Sequence, residues 1–111
     1  MSKERILLMT AGSRKITQVS TEAVSVAAGA AGTLVSVYLE RKPILDANGG
    51  FIGGNGDSSL AFSACLTVEV AKKADADLAN GEYWVDYLIG KVRGRKGNTA
   101  TSITANYKIL V

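Results

Sequence analysis

Period-two alternation of apolar side chains constrains this chain more than any other feature. Between Ser59 and Ala71, Leu60, Phe62, Ala64, Leu66, Val68 and Val70 alternate with Ala61, Ser63, Cys65, Thr67 and Glu69. Successive side chains of a strand point to opposite faces, so the pattern predicts a long half-buried β-strand. A second strand is expected from Glu82 to about Arg93, with Tyr83, Val85, Tyr87 and Ile89 on one face and Trp84, Asp86 and Leu88 on the other. Its far end turns wet at Lys91, Arg93 and Arg95. A third runs from Thr99 to Val111, where Ile103, Ala105, Tyr107 and Ile109 face away from Thr104, Asn106 and Lys108.

Shorter candidates lie upstream at Arg5 to Thr10, Arg14 to Ser20, Ala23 to Ala27 and Thr33 to Leu39, with Gly29 and Gly32 supplying a turn. About seven strands with regular turn signals define an all-β chain, an antiparallel β-sandwich or a jelly-roll or Greek-key-like arrangement. Little helix is expected beyond a turn between Ala74 and Asn80. The 111 residues suit one domain, 1–111, with a Gly-rich loop at 46–58. Fifteen alanines suggest a core of small side chains.

Missing residue types exclude several chemistries. With no His and a single Cys, the chain has no imidazole base, no His-ligated metal and no internal disulfide. Cys65 reads as a reduced filler in a strand. The carboxylates Asp46, Asp57, Glu69, Asp75, Asp77, Glu82 and Asp86 fall in turns or on wet strand faces, and no spacing marks a general acid and base. An enzyme, a cofactor and a bound metal are therefore not expected. The apolar run Ile6 to Met9 is too short for a signal-peptide core. Ala23 to Leu39 is uncharged but too rich in Gly, Ala, Ser and Thr for a membrane span. No signal peptide and no membrane partner are expected.

Two segments could meet a partner. The stretch Asp46 to Ser58 lacks the Lys-Ser/Thr of a phosphate loop and the spaced carboxylates of a calcium loop. It reads as a long connection whose apolar tip, Phe51 and Ile52, could dock on another protein. Lys91, Arg93, Arg95 and Lys96 form the basic run of a net charge of +3. They could meet an acidic protein surface or simply keep a hairpin end soluble. No aromatic residue lies between Tyr87 and Tyr107 to stack on bases, so nucleic acid is not expected as a partner. Trp84 could offer a small carbohydrate platform, or lie in the core or at a subunit interface. Finally, Leu78, Gly81 and Tyr83 match a Greek-key corner, in which a Tyr near a strand start bonds back to backbone a few residues upstream.

The length, the Met-Ser-Lys-Glu start, the Ala/Gly-rich strands from Val24 to Val37, the Leu78-Ala-Asn-Gly-Glu-Tyr83 corner and the strand-ending Val111 together give a resemblance. The chain resembles the capsid decoration (staple) proteins of short-tailed bacteriophages of the epsilon fifteen type. That resemblance implies a β-sandwich-like subunit, made in the host cytoplasm, that forms a homodimer on the outer capsid surface of the virion. It would clamp neighbouring major capsid proteins, and it implies no catalytic residues. The contrasting expectation is a carbohydrate-binding β-sandwich module on a virion or cell surface.

Overall fold

A computed structural model describes residues 16–41, 43–45 and 56–110. The candidate strand Arg5 to Thr10 and the loop tip at Phe51 and Ile52 lie outside them. Among the described residues seven strands run in chain order: β1 (Ile16–Ser25), β2 (Leu34–Tyr38), β3 (Ala61–Phe62), β4 (Val68–Glu69), β5 (Glu82–Asp86), β6 (Lys91–Arg95) and β7 (Ser102–Leu110). They form a three-stranded sheet, β1-β7-β3, and a four-stranded sheet, β2-β6-β5-β4. The described helical content is one 3-10 turn at Asp75–Asp77, inside the stretch expected to turn. The fold is a β-sandwich.

The count of strands agrees with expectation, but the parsing differs. The described part of Arg14 to Ser20 joins the start of Ala23 to Ala27 in the single strand β1, which pairs with β7 and carries a bulge between Val19 and Glu22. Thr21 takes φ 54° there, and its N–H donates to Asn106 Oδ1 at 2.8 Å. A bulged residue leaves the ladder, and here a cross-strand amide supplies the missing acceptor.

The run from Ser59 to Ala71 is two short strands rather than one. Its first part, β3, pairs with β7, whereas β4 belongs to the other sheet. The chain changes sheets at Cys65, which adopts φ 72°. The switch inverts the parity: Cys65 and Leu66 are both buried, Val68 is 52% exposed, and Glu69 points inward.

The stretch from Glu82 onward is likewise divided, into the hairpin β5–β6. Asp86 faces Lys91 in register, Gly90 takes φ 69°, and its N–H returns to Asp86 O at 2.9 Å. Ile89 thus sits in the turn instead of continuing the buried face of Tyr83, Val85 and Tyr87. On β6 the inward residues are Val92, Gly94 and, just beyond, Lys96.

All pairings are antiparallel except β4 with β5, which is parallel. A parallel pair cannot be closed by a hairpin and needs a crossover. Residues 70–81 supply it, passing over the outer face of the four-stranded sheet.

The core joins Val24, Val35, Val37, Leu60, Val85, Val92, Ile103, Tyr107 and their neighbours between the two sheets. Among the described residues Ala105 is the one buried alanine. The expectation of a small-residue core is therefore corrected: β-branched, leucyl and tyrosyl side chains fill it, and most alanines lie on the surface. Bulky side chains recover more free energy per position, at about 25 cal/mol for each Å² of apolar surface buried.

Candidate interaction surface

The basic run is spent largely on the chain itself. Arg93 faces outward on β6 and grips Asp75 through two parallel bonds, Nη2 to Oδ2 at 2.7 Å and Nε to Oδ1 at 3.0 Å. Its remaining nitrogen, Nη1, donates to Ser36 Oγ at 3.0 Å. The guanidinium holds the Asp75 carboxyl below the usual carboxylate range. Arg95 donates to backbone only: Leu78 O at 2.8 Å, Gly32 O at 2.7 Å and Asp75 O at 2.9 Å. A planar fork with several fixed donors suits such a cluster of carbonyls. Both arginines thereby strap the crossover onto the sheet.

Lys96 is 0% exposed and donates to Ala27 O at 2.8 Å. Lys91 is half-buried and makes no hydrogen bond or ion pair among the described residues. Its charge lies opposite Asp86 across the β5–β6 ladder and adds to the pull that keeps the Asp75 carboxyl low, so it too is set against the chain's own carboxylates, without a close ion pair.

Leu78, Gly81 and Tyr83 do not make a Greek-key corner. Leu78 is buried and Gly81 takes φ +85°. The Tyr83 hydroxyl, however, donates to Leu60 O at 3.1 Å, 23 residues upstream. It ties β5 to the approach to β3, and burial pushes its phenol pKa up.

Two further tyrosines act alike. Tyr87 Oη donates to Asp57 Oδ1 at 2.8 Å and accepts the Asp57 N–H at 3.2 Å. Tyr107 Oη donates to Glu22 Oε1 and accepts the Arg41 N–H at 3.2 Å. Beside the first pair, Ser58 donates to Glu69 through Oγ at 2.5 Å and through N–H at 3.0 Å. Burial, with a smaller push from Asp57, raises the Glu69 carboxyl. These clusters join residues as far as 85 positions apart, and no sequence spacing announces them. They tie loops to the strands. Among the described residues no group of metal-ligating side chains is assembled, and no helix is long and apolar enough to cross a membrane.

Trp84 is half-buried on the outer face of β5. Lys72 Nζ stands 5.3 Å from its ring centroid, and the buried Nε1 has no acceptor among the described residues. A stacking platform needs an open ring face, and a lysine occupies this one.

Among the described residues Ile16 on β1 and Val68 on β4 are exposed elsewhere, and the other three exposed large apolar side chains gather at one end of the four-stranded sheet. Tyr38 is 67% exposed at the end of β2, and Leu88 (68%) and Ile89 occupy the β5–β6 turn. Tyr38 faces Lys91 across the ladder, and the next residue, Leu39, donates its N–H to Gly90 O at 2.9 Å. The three side chains thus share the end of the ladder at which Lys91 begins β6. No family model, curated protein or solved structure matches the chain.

Proposed function

We propose that this β-sandwich is a structural binding protein that decorates the outer surface of a bacteriophage capsid and clamps neighbouring major capsid proteins. The observation that carries the reading is the exposed set Tyr38, Leu88 and Ile89 beside Lys91, at the end of a sheet whose other charged groups are largely tied to the chain itself. Large apolar residues grouped on a surface mark an interface more readily than a reaction site. The sequence resemblance supplies the kind of partner. A protein that binds the assembled lattice alone raises the shell's stability by mass action.

Co-sedimentation with purified shells is the test. The wild-type chain is expected to pellet with shells, and the triple variant Tyr38→Ser, Leu88→Ser, Ile89→Ser to stay in the supernatant. A wild-type chain that never pellets removes the proposal. The carbohydrate reading requires Trp84 to shed Lys72; glycan-array binding that is lost in Trp84→Ala would favour it instead.

A further inference from the structure

The sheet edges of this fold are not equivalent. Open edges template unwanted pairing, and proteins protect them by shortness, bulges, charge or proline. Strands β3 and β4 have two residues each. Strand β1 is long but bulged between Val19 and Glu22, and carries the charge of Glu22. Strand β2, Leu34–Tyr38, has none of these devices: five residues in unbroken register with β6, without charge, proline or bulge.

Backbone parity fixes what β2 offers. Thr33 O accepts from Lys96 and Leu39 N–H donates to Gly90, on either side of β2, so in the same register Val35 and Val37 direct their N–H and C=O at β6. Leu34, Ser36 and Tyr38 therefore aim N–H and C=O at the open edge. Among the described residues no backbone group pairs with them. Their side chains share the outer face, where Leu34 is half-buried and Ser36 and Tyr38 are exposed.

We propose that β2 is a strand-addition site, at which an extended segment of a partner protein pairs antiparallel with Leu34–Tyr38. The incoming strand carries apolar side chains at alternate positions, packing over Leu34 and Tyr38 on the outer face. No charge preference is set at that end: Lys91 faces Asp86 on β5, and Glu40 and Arg41 carry opposite charges. Main-chain bonds give such an interface its affinity, and the alternate side chains its selectivity. The inference holds whichever protein supplies the strand, so it does not rest on the capsid reading.

Amide exchange followed by NMR, on the whole chain with a synthetic decapeptide of alternating Val and Thr, tests it. In the free protein Ser36 and Tyr38 amides should exchange at least tenfold faster than those of Val35 and Val37; adding the peptide should remove the difference. Ser36→Pro deletes one outward N–H at an edge position that tolerates proline and should abolish peptide binding with an unchanged fold. Ser36→Ala, which keeps the N–H, should bind as wild type. Slow exchange at Ser36 and Tyr38 in the free monomer would overturn the proposal. So would equal peptide binding by Ser36→Pro, or protection that appears only when the chain self-associates. Should Ser36→Pro fail to fold, the wild-type exchange pattern with and without peptide still decides.

Discussion

Lys96 shows how far a charged side chain can be drawn into a small sandwich. It continues the inward parity of Val92 and Gly94, and its ammonium reaches the Ala27 carbonyl at the end of the core. Burying a charge is costly unless it is paired or hydrogen-bonded, yet removing the whole side chain would leave both a cavity and an orphaned carbonyl. Lys96→Ala is expected to cost roughly 2–4 kcal/mol in urea unfolding, from lost packing and the unmet acceptor. Lys96→Met, which keeps the volume, should cost at least about 1 kcal/mol less. Glu69 makes a prediction about pH. Its carboxyl is raised above the ordinary 4.5 in the folded chain, so just above pH 4.5 the folded state keeps a proton that the unfolded state has released. Stability from this group is therefore present at lower pH and is lost as pH rises through the folded value. Asp75 has the opposite sign: its lowered carboxyl contributes stability above pH 3.8 that is lost on further acidification. Thermal melts from pH 3 to 7 should show both slopes. Glu69→Gln should remove the upper one alone, and a profile unchanged in that variant would contradict the assignment.

At the scale of elements, legibility depended on whether a strand stays in one sheet. Thr33 to Leu39 and Thr99 to Val111 were readable because their alternation meets one core face throughout, and β2 and β7 lie within those stretches. Ser59 to Ala71 read as one strand because Ala, Ser and Cys suit either face. The sheet change at Cys65 depends on two different partners, β7 and β5, far away in the chain. The role of the basic run was hidden for the same reason: Arg93 and Arg95 answer a crossover that exists only because β4 and β5 run parallel. The available edge of β2 was visible as a pattern but not as an edge. Gly94 provides the test at this scale. A Cβ there would come within 2.8 Å of Glu82 O and of Tyr83 Cβ, so β6 and β5 approach closely, side by side, at this core-facing pair. Gly94→Ala is expected to destabilise by about 1–3 kcal/mol through overpacking, measured by chemical unfolding. A neutral result would mean that the hairpin is less tightly seated.

For the whole molecule, the ties run between distant parts of the chain. Tyr107 with Glu22, Tyr83 with Leu60 and Tyr87 with Asp57 each fasten one part of the sandwich to another. A fold dominated by such pairings is expected to refold in milliseconds to seconds; a microsecond relaxation after a temperature jump would contradict that. The position of β7 adds a matter of timing. It is the central strand of the three-stranded sheet, between β1 and β3, and it follows every other described strand in the chain. At roughly 5–20 residues per second, the 77 positions separating Ser25 from Ser102 (102 − 25) take about 4–15 s to synthesise. Throughout that interval β1, the first described strand, lacks the ladder partner that β7 gives it in the folded chain. The bulge at Ser20 and Thr21 then serves the nascent chain as well as the finished one, since it interrupts a ten-residue edge while neighbouring polysomes carry the same waiting strand.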